Sequence, residues 1–182
     1  LPVPADRVRS LKAGERITTA GRTLDVAYTP GHASHHVSYF DPGRRVAYVG
    51  DTAGIRRSEG LYVMPPTPPP DIDLELWDAS IERILAWKPA VLFLTHFGPY
   101  GDPGDLLDDL RRRLDSWSRI ARALVEDPTM DDPQREQAFV DEALKELRAV
   151  VGDAQAQLYS RAGRLDYSWQ GLARYWRKRP GG

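Results

Sequence analysis

TPGHASHH, residues 29–36, is the stretch around which the rest of this 182-residue chain is organised. It holds three of the four histidines and directly follows Leu24 to Tyr28, a run in which apolar residues alternate with others. Short runs rich in Val, Leu, Tyr and Phe and bounded by Gly, Pro or Asp are typical of strands. His32, a potential metal ligand, therefore lies just beyond the end of a predicted strand.

The same arrangement occurs twice more along the chain. The run VAYV at 46–49 is followed by Gly and Asp51, and the run VLFL at 91–94 is followed two positions later by His96. If the three strands are neighbours in one sheet, His32, Asp51 and His96 leave it at a common edge, where a rigid scaffold can aim them at one point. We expect them within about 10 Å of one another, the reach of ligands that share one metal or two metals about 3.5 to 4 Å apart.

Two imidazoles and one carboxylate form a ligand set with a recognisable chemistry. The set suits zinc, with iron or manganese possible, and the same count occurs in mononuclear catalytic sites with open positions. A single His near a strand end is more often an ordinary hydrogen-bonded residue, and a Gly-Asp pair is also a common turn. We favour the ligand interpretation because a carboxylate behind a buried strand needs a partner, and two histidines converge on it.

Together the three motifs resemble the third, fourth and fifth metal motifs of the metallo-β-lactamase-fold hydrolases. The matching segments are TPGH ending at His32 with a second histidine four positions on, GDT around Asp51, and LTHFGP around His96. The resemblance implies that His32 completes one metal site, that Asp51 bridges two metals and that His96 belongs to the second site. It also implies that His36 holds the loop through hydrogen bonds, whereas His35 is expected to be exposed.

The resemblance implies an α/β fold, specifically the C-terminal half of a metallo-β-lactamase-like αβ/βα sandwich. No histidine precedes His32, so the H-x-H-x-D-H motif that supplies the remaining ligands in that superfamily is absent, and the chain begins with Leu1. We therefore expect a fragment whose metal site is incomplete for catalysis. The expected organisation is the half-domain at 1–104 followed by a helical C-terminal region at 105–182.

Helical signals dominate the chain after residue 102. Asp-Pro pairs at 102–103 and 132–133 are typical helix starts, and apolar residues recur at spacings of three and four. We expect residues 105–178 to be helical, with one helix ending at Gly152, and to pack through Leu110, Leu114, Trp117, Leu144 and Trp176. Upstream, the prolines between 65 and 70 predict a rigid crossover that leads into a helix capped by Asp71 or Asp73.

The amino-acid composition limits which binding partners and which cellular compartment are expected. The chain has 25 basic and 26 acidic residues, so nothing global favours nucleic acid or an anionic membrane, although its C-terminal RYWRKR segment mixes basic and aromatic side chains. The absence of cysteine excludes disulfides, thiol catalysis and cysteine-ligated metals. A cytoplasmic location is expected because a chain without cysteine fits a reducing compartment. No apolar stretch approaches the roughly 20 residues of a membrane span.

The function that these observations favour is metal-dependent hydrolysis of an ester, thioester, lactone or phosphodiester. The helical tail resembles in position the substrate-binding appendage of glyoxalase II-like members, which favours small thioesters, and we assign no general base within the chain. Two alternatives stay open, a mononuclear-iron enzyme like persulfide dioxygenases and a non-catalytic module that binds a partner through its helices. The expected partners are a small-molecule substrate and either a second copy of the chain or the N-terminal half.

Overall fold

Six strands form one mixed sheet in the computed structural model, which describes residues 3–12, 14–57 and 62–179. In these residues the strands follow one another across the sheet in chain order. Only β4 and β5 pair in parallel, because a helix crosses between them, and all other neighbours are antiparallel. The strands are β1 Arg16–Thr19, β2 Arg22–Tyr28, β3 Val37–Asp41, β4 Val46–Gly50, β5 Val91–Leu94 and β6 Gly98–Tyr100.

The strand directions bring three chain segments to the same edge of the sheet. β2 and β4 are both antiparallel to β3, so they point the same way, and β5 is parallel to β4. The carboxyl ends of β2, β4 and β5 therefore lie together at one edge. The segments that leave this edge carry His32, Asp51 and His96, as the sequence predicts.

Four α-helices accompany the sheet in the described part of the chain. Three of the starts are explained by local chemistry: the Asp73 side chain accepts a hydrogen bond from the first turn of α1, Pro103 occupies the first turn of α2, and Asp131 and Gln134 form a capping box at α3. In residues 3–12, 14–57 and 62–179, no helix is apolar over a sufficient length to cross a bilayer. The helices are α1 Leu74–Ala86, α2 Pro103–Glu126, α3 Asp132–Ala162 and α4 Leu165–Arg177.

The prediction that a helix ends at Gly152 is confirmed. α3 spans 31 residues in two helical parts that meet at Gly152, which has a non-helical backbone with φ of 74°. Glycine adopts this left-handed conformation without steric cost, so the chain changes direction there and resumes its helix. The part of α3 beyond this kink buries Ala156 and Tyr159.

One buried cluster joins the helices to one face of the sheet. Phe40, Ala47 and Leu92 are register partners on this face, and they belong to the same cluster as the buried residues of all four helices. Of the C-terminal residues expected in the core, Leu110, Leu114 and Trp117 are buried, whereas Leu144 and Trp176 are partly buried against the cluster. The division of the chain into two parts at residue 104 stays a prediction, and α2 itself begins at Pro103.

The opposite face of the sheet is apolar and partly exposed. Tyr39, Tyr48 and Phe93 are register partners there, and Phe93 retains 43% of its accessible surface. Tyr28, which lies farther along β2 on the same face, retains 44%. Aromatic side chains on the face of a sheet are normally covered, so this degree of exposure is unusual for such residues.

Replacing Leu114 by Ala should lower the free energy of unfolding by about 2–5 kcal/mol, because a buried leucine loses its packing and leaves a cavity. Leu114 is only 7% exposed. Leu76→Ala is a matched control, since Leu76 of α1 is 47% exposed and should cost much less. Urea unfolding of the two variants measures the difference, and equal losses would show that Leu114 contributes no core packing.

Candidate metal centre

The three predicted ligands converge on the carboxylate of Asp51. His32 Nε2 lies 3.6 Å from Asp51 Oδ2, and His96 Nε2 lies 3.2 Å from Asp51 Oδ1. Each imidazole thus faces a different oxygen of the same carboxylate. A carboxylate presented in this way can bind one cation on each side.

The chain supplies few ligands for each such cation. In the described segments no group of three or more His, Cys, Asp or Glu side chains is arranged to hold a metal ion. Instead, two His–Asp pairs share Asp51. A stable zinc site normally uses three or four protein ligands, so one His–Asp pair supplies fewer ligands than a zinc ion needs. Ligation by His32, Asp51 and His96 stays a prediction.

Asp51 nevertheless has the chemistry of a ligand. Its Oδ1 atom is buried and makes no hydrogen bond, because His96 Nε2 faces it without hydrogen-bond geometry. A buried carboxylate oxygen without a donor is costly, and a bound cation would remove that cost. The backbone at Gly50 allows this placement, since its φ of 53° directs the chain sharply from β4 into a short 3-10 turn at Asp51–Ala53.

His32 presents an unprotonated nitrogen to Asp51. Its Nδ1 lies 2.8 Å from the carbonyl oxygen of Pro66, and a carbonyl only accepts hydrogen bonds, so Nδ1 carries the proton. In the neutral imidazole, Nε2 then has a free lone pair that faces the Asp51 carboxylate. His32 Nε2 and Asp51 Oδ2 are then both acceptors with no proton between them, and their 3.6 Å separation suits two ligands placed around one cation.

His36 connects the His32 loop to the segment that carries Asp51. Its Nδ1 lies 3.0 Å from the hydroxyl oxygens of Thr29 and Thr52. A side chain at Gly50 would place its Cβ 2.3 Å from His36 Nε2, so the ring packs directly against that backbone. Burial, followed by the nearby His32, lowers the pKa of His36, which keeps the ring neutral near pH 7. His36 therefore has the structural role that the resemblance implies, and His35 is exposed.

A cavity of about 320 Å³ opens beside the three ligands. Part of its wall comes from the turn between α3 and α4, where the Arg164 guanidinium stacks 4.0 Å from the centre of the Tyr167 ring and pairs with Asp166. This wall could not be predicted from the sequence, because residues 161–166 mix charged residues with Ala, Gly and Leu and contain no motif that indicates a binding site. The cavity is lined by His32, Asp51, Ile55, Pro66, Thr67, Pro68, His96, Ala162, Gly163, Arg164, Tyr167 and Ser168.

Comparison with known proteins defines the class. Residues 1–96 match the sequence model described as the metallo-beta-lactamase superfamily. Because this match covers more than half of the chain, the protein belongs to the metallo-beta-lactamase superfamily. The α/β architecture and the three convergent motifs agree with that membership.

Individual relatives show the same fold over a larger molecule. A metallo-beta-lactamase fold-containing protein of Sulfurisphaera tokodaii is 33% identical over 93 residues, which is 51% of this chain and 34% of that protein. A metallo-beta-lactamase family protein from Thermus thermophilus aligns with a TM-score of 0.61 at 20% identity, over 93% of this chain and 48% of its own.

An archaeal metallo-beta-lactamase superfamily protein from Sulfolobus tokodaii aligns with a TM-score of 0.58 at 23% identity, over 92% of this chain and 52% of its own. At these identities the two solved structures establish the fold alone. The chain thus spans about a third of the length of the curated relative and about half of the length of the solved structures.

The lowered pKa of His36 predicts a loss of stability in mild acid. The unfolded chain binds a proton at His36 near pH 6.5, whereas the folded chain binds it only at lower pH. The stabilisation is therefore complete above the unfolded pKa and is lost as the pH falls from about 6.5 toward the folded pKa. His36→Asn should show a smaller fall in unfolding free energy between about pH 7.5 and about pH 5.5.

Urea unfolding at these pH values measures the effect, with His35→Asn as the control because His35 is exposed. The control removes only the smallest of the causes that lower the pKa of His36, so it should keep most of the pH dependence of the unchanged protein. An unaltered pH dependence in His36→Asn would contradict the role given to His36.

Proposed function

We propose that this chain supplies one half of the active site of a metal-dependent hydrolase. Membership of the metallo-beta-lactamase superfamily supports a metal-dependent hydrolase function in general. The observation that supports the proposal most directly is the Asp51 carboxylate, which stands between His32 Nε2 and His96 Nε2 with one buried oxygen lacking a hydrogen bond. We propose zinc as the metal, since two imidazoles and a carboxylate suit it.

The residues of the chain prepare this site in three ways. Asp51 provides the negative charge that compensates a divalent cation. Pro66 fixes the proton of His32 on Nδ1, and His36 keeps the two ligand loops together. A bound metal would lower the pKa of its water to about 7 and polarise the bond under attack.

The cavity supports a small ester or thioester as substrate. Its wall combines apolar surface from Ile55 and Pro68 with the aromatic ring of Tyr167. Arg164 supplies a guanidinium beside that ring, and it is the only Lys or Arg among the described residues that line the cavity. Because the guanidinium is paired with Asp166, we propose that it contacts a polar group of the substrate near the acyl chain and does not bind a full negative charge.

A second candidate is oxidation chemistry at a single iron. The observation that favours it is the ligand count, because two His and one carboxylate also form the facial set of non-haem iron enzymes. Metal analysis of the protein as isolated separates iron from zinc.

We further propose that the apolar sheet face around Phe93 is covered in the whole protein, either by an N-terminal half or by a second copy of the chain.

Zinc binding tests the proposed ligand set. The 182-residue chain should bind Zn²⁺ weakly, and Asp51→Asn should weaken binding further, by more than about tenfold. Loss of a residue that only hydrogen-bonds to a metal ligand already lowers metal affinity by about tenfold or more, and a ligand itself should matter more. His35→Ala, which changes an exposed histidine of the same loop, should leave binding unchanged. Isothermal titration calorimetry at pH 7.5 measures all three proteins.

Two results would contradict the proposal. Equal Zn²⁺ affinity in Asp51→Asn and the unchanged chain would remove Asp51 from the site. Sub-micromolar affinity together with esterase or thioesterase activity would show that the chain needs no ligands beyond its own.

A further inference from the structure

A single peptide group connects helix α4 to the ligand His32. The carbonyl oxygen of Pro66 accepts the hydrogen bond from His32 Nδ1 at 2.8 Å. The same planar peptide unit contains the backbone nitrogen of Thr67. The position of Thr67 therefore determines where the oxygen that orients His32 lies.

Helix α4 holds Thr67 by two contacts. Thr67 is fully buried, and its hydroxyl donates a hydrogen bond to the carbonyl oxygen of Ser168 at 3.3 Å. At Gly171 a Cβ would lie 2.0 Å from Thr67 O and 2.9 Å from the Pro68 carbonyl carbon. Only glycine allows α4 to approach the Thr67 backbone so closely, although glycine inside a helix is otherwise unfavourable.

The segment around Thr67 is too rigid to absorb a displacement. Pro66 and Pro68 have fixed φ angles on either side of it, and a residue that precedes a proline is itself restricted. Pro65 and Pro66 are also buried. A shift that α4 imposes on Thr67 is therefore passed to the Pro66 carbonyl and is not taken up by local rotation.

We propose that Gly171 and Thr67 are positioning residues, through which α4 fixes His32 in the tautomer that leaves Nε2 free for a divalent cation. Without the Pro66 carbonyl in place, the two neutral tautomers of an imidazole are similar in energy. A fraction of the molecules would then carry the proton on Nε2, which cannot bind a metal in that state. The inference rests on the proposed function only in taking His32 as a ligand.

The experiment measures the His32 tautomer directly. Ring-nitrogen NMR shifts of histidine-labelled protein are recorded without metal at about pH 8, where a His of ordinary pKa is neutral, and Zn²⁺ affinity is measured by calorimetry. The unchanged chain should show His32 protonated on Nδ1. Gly171→Ala and Thr67→Val should raise the fraction protonated on Nε2 and weaken Zn²⁺ binding by about 10- to 100-fold.

The controls separate positioning from folding. Gly104→Ala is matched to Gly171→Ala, because Gly104 is also helical and a Cβ there meets nothing within 4 Å, so its tautomer and affinity should stay unchanged. Thr67→Ser keeps the hydroxyl, so His32 should stay protonated on Nδ1 in this variant. If Gly171→Ala does not fold, the tautomer and the Zn²⁺ affinity of Thr67→Val test the positioning role.

The readouts also distinguish the inference from the proposed function. Folded Gly171→Ala and Thr67→Val proteins with the tautomer of the unchanged chain would overturn the inference, as would a mixture of tautomers in the unchanged chain. The unchanged chain could also show a single His32 tautomer that changes in the two variants, without measurable Zn²⁺ binding. That result would support the positioning role and overturn the proposed metal site.

Discussion

Trp77 of α1 is the contact on which the arrangement of the site depends. It is fully buried, and its indole nitrogen donates a hydrogen bond to the carbonyl oxygen of Thr52 at 2.7 Å, directly after Asp51. Its backbone packs so closely against Gly31 that a Cβ there would lie 2.4 Å away, and its ring meets the edge of His32 with centroids 5.7 Å apart. One side chain thus ties two ligand segments to the core, and the third follows because β5 is parallel to β4.

The helical C-terminal region is part of this site and not only a neighbour of it. α4 supports Thr67 beneath the Pro66 carbonyl, and the turn before α4 supplies the cavity wall around Tyr167. α3 also reaches the segment that follows Asp51, because the Tyr159 hydroxyl accepts a hydrogen bond from the backbone nitrogen of Arg57 and donates one to Tyr62 O. Loss of helix packing should therefore affect the ligands before it affects the sheet.

The parts of the fold that the sequence predicts are those encoded locally. The strands before His32 and Asp51 are short, apolar and bounded by turn residues, so their ends and the convergence of the ligands could be predicted. The contact between Thr67 and Gly171 could not, because it joins segments about a hundred positions apart through a backbone approach that leaves no periodic signal. The helix end at Gly152 could be predicted, but the change of direction into a second helical part could not, since glycine equally indicates a helix end or a bend.

The proposed site depends on His32, Asp51 and His96 being ligands of a common metal centre. Anomalous diffraction from crystals soaked in Zn²⁺ tests it most directly, because it locates the metal without reference to activity. We expect a peak about 2.0–2.2 Å from Asp51 and from Nε2 of His32 or His96, the usual zinc distances for these ligands. Zinc bound only elsewhere on the molecule, with these three side chains left uncoordinated, would contradict it.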